Sequence, residues 1–164
     1  MTAVEVASII TGGKWVYDAT KNTFVRALDN VATNPWSLDP FARGVALENL
    51  YGHNVPAGFR TIDRWDNVTG TAASIKSMDL NAVTYQTPSR MSYQIKDYID
   101  SVAGYTGTTR LGHGHLVINP HEINFRVLDL VVPNNGSAAQ QQVINQMIEY
   151  GRTQGVQVNV IVHP

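Results

Sequence analysis

Apolar residues recur along this chain at two spacings, one of three to four residues and one of two, and each marks a different kind of element. Phe24, Leu28 and Val31 fall at spacings of four and three, which predicts a helix from about Asn22 to Ala32, ended by Asn34-Pro35. Asp39-Pro40 reads as an N-cap followed by proline in the first turn, opening a helix that runs to about Tyr51 and stops at Gly52. Phe59 to Trp65 and Thr71 to Ser77 read as short extended segments joined by Asn67-Val68-Thr69-Gly70, a β-hairpin. Thr87-Pro88-Ser89 starts another helix, whose apolar positions Met91, Ile95, Tyr98, Ile99 and Val102 end before Gly104. A further helix follows Ser137, with Val143, Ile144, Met147 and Ile148 inward and Gly151 near its end. Asn124 to Val132, bounded by Pro120 and Pro133, reads as a strand, and the alternation of Val156, Val158, Val160 and Val162 reads as the last one. The order α, α, β, β, α, β, α, β implies an α/β fold, a mixed β-sheet flanked by helices. One domain is expected overall, with residues 1–38 as an N-terminal helical segment packed on a core formed by 39–164.

Composition narrows the chemistry. With 164 residues, 43% of them hydrophobic and 15% charged, the chain is able to bury a core. No apolar run is long enough to span a membrane, and the N-terminus lacks a basic-then-apolar secretion signal. There is no cysteine, so a bound metal must use carboxylate, His, carbonyl or water ligands. The net charge of −1 gives no global sign of a nucleic-acid partner.

Local placement says more than the total. In the helix opened by Asp39, Glu48 shares a face with Phe41 and Val45, so a carboxylate sits at the border of an apolar stripe and either turns to solvent or meets a cation. In the hairpin, residues whose numbers sum to about 137 or 138 face each other, which sets Asp63 opposite Ser74 or Ile75 and near Lys76. Two carboxylates from different elements and one lysine form a site where the acids hold a divalent cation and the ammonium acts on a water against a phosphodiester. Asp79 either joins this site or caps a turn.

These residues resemble those of a known family. The run Phe41-Ala42-Arg43-Gly44, Glu48, Gly52 with Asn54 and Pro56, Ile62-Asp63-Arg64, Ser74 to Leu80 and Thr84-Tyr85-Gln86 is similar to the C-terminal nuclease toxins of CdiA proteins, effectors of contact-dependent growth inhibition. The resemblance implies a PD-(D/E)XK, restriction-endonuclease-like core and a metal-dependent DNA endonuclease using Zn²⁺, or alternatively Mg²⁺. It makes Glu48 and Asp63 metal ligands and Lys76 the motif lysine, with Ser74 standing where many such enzymes carry a second acid and orienting metal-bound water. It implies secretion as the C-terminal part of a large cell-surface protein, action in the cytoplasm of a target bacterium, and neutralisation by a cognate immunity protein, CdiI. The CdiI contact is expected through a β-hairpin within residues 109–124, against the alternative of a buried strand there.

Arg43, Arg60, Arg64 and Arg90 are candidate phosphate contacts or ordinary surface charges. His113, His115, His121 and Glu122 form a second metal-like group, read instead as exposed loop residues. Two other functions stay open on the sequence: an RNase of the same fold acting chiefly on tRNA, and a non-catalytic interaction module in which Glu48, Asp63 and Lys76 form only a structural ion pair.

Overall fold

In a computed structural model, the described residues are 34–56, 59–108 and 116–164, together with the backbone of two short strands. The chain divides into two units, Met1–Ser37 and Leu38–Pro164. In the first, β1 (Trp15–Asp18) and β2 (Thr23–Arg26) pair antiparallel, with Val16 opposite Val25. The helix expected across Asn22 to Ala32 is therefore corrected: Thr23–Arg26 is a strand. Thr, Phe and Val in succession favour extended backbone, and a pairing partner within a few residues outweighs three apolar residues at helical spacing.

The second unit is a four-stranded sheet with three helices. After α1 (Pro40–Leu50) come β3 (Arg64–Asp66), β4 (Thr71–Ser77), α2 (Pro88–Ala103), β5 (Phe125–Val132), α3 (Ala138–Thr153) and β6 (Val156–Val162). The sheet order is β3-β4-β5-β6, with β3 antiparallel to β4 and the other three strands parallel. Each parallel neighbour is reached through a helix, as parallel pairing requires. The mixed sheet with flanking helices is the α/β architecture the sequence implied.

Leu128, Leu130 and Val132, two residues apart on β5, meet Met91, Ile95, Ile99 and Val102 of α2 and Val143 and Ile144 of α3 in the main core. A second cluster gathers Val55, Ile62, Ala72, Tyr105, Ile118 and Ile123 around the start of β4. The β3–β4 turn ends at Gly70, whose φ of 72° is left-handed and where a Cβ would lie 2.3 Å from the Glu122 carbonyl oxygen. Only glycine fits both conditions. The extended segment expected from Phe59 is shorter than foreseen, since pairing begins at Arg64, and Thr61 at φ 77° breaks the extended backbone before it.

The inward face of α1 also differs from expectation. Leu47 and Arg43, four apart, are the buried positions, whereas Phe41 is 82% exposed and Val45 37%. Helical spacing identifies a stripe but not the side on which the sheet lies. Between Thr108 and Ile118 an antiparallel bridge joins the chain, and Ile118 is buried in the second cluster. Residues 109–115, including His113 and His115, fall outside the described residues. Among the described residues no helix is long and apolar enough to cross a membrane.

Candidate metal centre

The C-terminus of α1 builds half of the site. Asp39 caps the helix, its Oδ1 accepting from the backbone N–H groups of Phe41 at 3.0 Å and Ala42 at 3.1 Å. At the other end Tyr51 is the last cap, Gly52 turns left-handed at φ 92°, and the His53 N–H donates to the Glu48 carbonyl at 2.9 Å. This is the Schellman ending, in which the side chains of those two positions commonly meet. Here the pair that meets is Glu48 and His53, two ionisable groups in place of the usual apolar contact.

Asp63 supplies the other half. Ile62 is fully buried, and Thr61 just before it is the one non-glycine with positive φ among the described residues. A β-branched residue in that region is strained, and such strain persists only where surrounding contacts enforce it. The Asp63 N–H donates to the Ala73 carbonyl at 2.9 Å, extending the β3–β4 ladder, whose register sets Arg64 opposite Ala73. Its Oδ2 accepts from the Ile75 N–H at 2.7 Å, Ser74 Oγ at 3.2 Å and Lys76 Nζ at 3.2 Å. The carboxylate takes the place of a strand carbonyl at the edge of β4. Asp63 is 8% exposed and Ser74 1%, so the Ser74 hydroxyl is spent on orienting Asp63.

Glu48, His53 and Asp63 each present one ligand atom such that all three lie within 4.8 Å of one another. His53 Nδ1 is buried and has no hydrogen-bond partner among the described residues. An imidazole with an unpartnered ring nitrogen, meeting two carboxylates through one of its nitrogens, fits a cation, which would offset the two charges. The Glu48 carboxyl is held above its ordinary value of 4.5, first by burial and then by the nearby charge of Asp63, with Lys76 and His53 acting in the opposite sense. The site resists two bare negative charges, and a cation relieves it.

Glu48, Asp63, Ser74 and Lys76 lie together as the sequence leads one to expect, and His53 joins them from outside the expected set. The signal was present: a helix-ending glycine places the next residue over the one five positions before it. Asp79 stands apart from the three ligand groups, its Oδ1 accepting from the Asn81 N–H at 2.9 Å and capping the turn after β4. Of the four arginines, Arg43 is buried with its Nε 3.3 Å from Ser77 Oγ, and Arg64 binds Asp129 at 2.9 Å, so neither is an open surface cation. Arg60 and Arg90 are exposed. His121 is exposed, while Glu122 accepts from the Asn119 N–H at 2.6 Å and caps a short turn.

The chain is similar to known proteins. Deoxyribonuclease CdiA-o11 of Escherichia coli O157:H7 (strain EC869) is 29% identical over 94% of the chain, which spans 44% of that protein. Deoxyribonuclease CdiA of Yersinia pseudotuberculosis serotype O:3 (strain YPIII) is 32% identical over 76% of the chain, which spans 12% of that protein. The chain is thus less than half the length of either relative. A solved toxin and immunity complex, CdiA-CT/CdiI from Yersinia pseudotuberculosis, is similar with a TM-score of 0.60 and 30% identity, covering 71% of this chain and 98% of that one. A family model described as the CDI toxin restriction endonuclease-like domain matches residues 43–161, a span holding Glu48, His53, Asp63, Ser74 and Lys76, and the chain therefore belongs to this family of CdiA C-terminal nuclease toxins.

Proposed function

We propose that the chain is a metal-dependent deoxyribonuclease that hydrolyses DNA phosphodiester bonds inside a target bacterium. The observation that carries this reading is the meeting of Glu48, His53 and Asp63 within 4.8 Å, with Lys76 Nζ 3.2 Å from Asp63. Glu48, His53 and Asp63 would hold the cation, and the nitrogen donor favours Zn²⁺ over Mg²⁺, whose preference is for oxygen alone. When bound, a divalent cation neutralises charge at a scissile phosphate and lowers the pKa of water at the site. Lys76, held in place by Asp63, keeps its ammonium where it meets the negative charge that grows on the phosphate during attack. Ser74 and the Ile75 N–H lock the orientation of Asp63. Exposed Arg60 and Arg90 are the arginines left to contact the phosphate backbone.

Both curated relatives are named deoxyribonucleases, which supports DNA as the substrate. The complex of the related structure supports a cognate immunity protein as partner, and we place its contact within residues 109–124. In this reading the chain is the C-terminal part of a large cell-surface protein. The test incubates wild type, Asp63→Ala and Lys76→Ala separately with supercoiled plasmid and with total tRNA, with Zn²⁺, Mg²⁺ or EDTA. Zn²⁺-dependent plasmid nicking by wild type alone is the expected result. Cleavage confined to tRNA would move the substrate to RNA, and full nicking by either variant would overturn the assignment.

A further inference from the structure

The segment carrying His53 and the segment carrying Asp63 are joined by hydrogen bonds that leave the proposed ligand atoms free. The Asn54 N–H donates to the Asp63 carbonyl at 3.1 Å, the Asn54 side chain accepts from the Trp65 N–H at 2.8 Å, and its Nδ2 donates to the Trp65 carbonyl at 2.9 Å. One residue along, Arg64 Nη1 donates to the carbonyl of Tyr51, the C-cap of α1, at 2.8 Å. The other arm of the same guanidinium, Nη2, donates to Asp129 Oδ2 at 2.9 Å. The remaining Asp129 oxygen accepts from Asn159 Nδ2 at 2.8 Å.

Asp129 is the anomaly in this arrangement. It is 3% exposed, in the middle of β5 between Leu128 and Leu130, and stands in register between Ile75 of β4 and Asn159 of β6. An apolar residue in a central parallel strand generally serves stability as well as a buried ion pair or better. Stability alone is thus a poor account of a carboxylate with both oxygens engaged. What the pair does is geometric: Asp129 holds one arm of the Arg64 guanidinium, and the other arm holds the Tyr51 carbonyl from which Gly52 turns His53 towards Glu48 and Asp63. The same row of the sheet contains Ile75, whose N–H fixes Asp63.

We propose that Asp129 is a positioning residue that acts through Arg64 to set the affinity of the Glu48, His53 and Asp63 site for its metal. This rests on the metal-centre reading above and removes Arg64 from the phosphate contacts. The experiment titrates Zn²⁺ by calorimetry into wild type, Asp129→Asn, Arg64→Gln and the double variant, each shown folded by circular dichroism at the titration temperature. Each single variant is expected to weaken Zn²⁺ binding roughly 10- to 100-fold, as loss of a group supporting a metal ligand typically does, with the double variant no weaker than the worse single one. Arg64 is about a third exposed, so Arg64→Gln keeps the test available if Asp129→Asn does not fold. Gln140→Ala serves as control, because Gln140 is buried and bonded to the Leu80 carbonyl at 2.9 Å on a different element; it is expected to lower Tm and leave Zn²⁺ affinity unchanged. Affinities of the single variants within 3-fold of wild type would overturn the proposal, as would an equal loss in Gln140→Ala or losses that multiply in the double variant. A wild type that binds no Zn²⁺ would instead overturn the metal-centre reading itself.

Discussion

Replacing Asp63 by alanine removes one oxygen that three donors share, and the cost in the metal-free protein follows from where each donor is left. The Ile75 N–H, on a residue 1% exposed, loses its acceptor at 2.7 Å with no route to water, a loss of about 1–3 kcal/mol. The Ser74 hydroxyl is also buried but rotates to seek another acceptor, adding roughly 0.5–1 kcal/mol. Lys76 is about a third exposed and turns to solvent at a cost near zero. The sum is about 1.5–4 kcal/mol, or roughly 5–15 °C in Tm for a unit of this size. Asp63→Asn keeps a carbonyl oxygen for the Ile75 N–H, so it should stay within about 1 kcal/mol of wild type. Urea unfolding in EDTA, followed by far-UV circular dichroism, measures both. Equal stability of the alanine and asparagine variants would refute the claim that Asp63 completes the β4 edge. In both variants Zn²⁺-dependent nicking should disappear, which separates the carboxylate's structural work from its chemistry.

Two further outcomes follow from the same geometry. Glu48 has a folded-state pKa above the unfolded value of 4.5, so its ionised form is disfavoured in the fold and metal-free stability falls as pH rises from 4.5 through the raised value. Glu48→Gln in EDTA should therefore melt higher than wild type at pH 7 and lose that advantage at pH 4, as thermal scans at the two pH values will show; a variant less stable at pH 7 would contradict the burial argument. His53→Ala should weaken Zn²⁺ binding by an order of magnitude or more and leave Mg²⁺ binding little changed, as measured by competitive titration, because only the nitrogen donor distinguishes the two ions here.

Much of the fold is legible in the residues that start and stop its elements. Asp39-Pro40 and Ser137 mark helix starts that need nothing beyond their own neighbours, and the alternation from Val156 to Val162 marks a strand by period alone. The arrangement of the candidate site is legible to the same extent: Asp63, Ser74 and Lys76 are related by hairpin register, a local rule. Readings failed where the answer depends on a partner distant in sequence or in conformation. Phe24, Leu28 and Val31 carry helical spacing, but the pairing of β2 with β1 decides the backbone. Phe41 and Val45 form a stripe, yet the sheet lies against Arg43 and Leu47. His53 stands outside every helical spacing from Glu48 and is brought to it only by the left-handed Gly52. Asp129 looks misplaced in an apolar run until Arg64 and Asn159 are seen beside it.

The parallel pairing of β4 with β5 has a kinetic consequence. Glu48, His53, Asp63, Ser74 and Lys76 are gathered by one turn and one hairpin, closures of short loops that take on the order of microseconds and carry a small entropic penalty. Asp129 comes to rest beside Ile75 only after the whole of α2 has been laid between the two strands, a slower non-local step. From this topology the expected order in refolding is the reactive groups first and the lock on them last, which pulse-labelled hydrogen exchange at the Ile75 and Asp129 amides would check. On that order the hairpin carries its acids and lysine together before Asp129 and Arg64 tie it to the rest of the sheet.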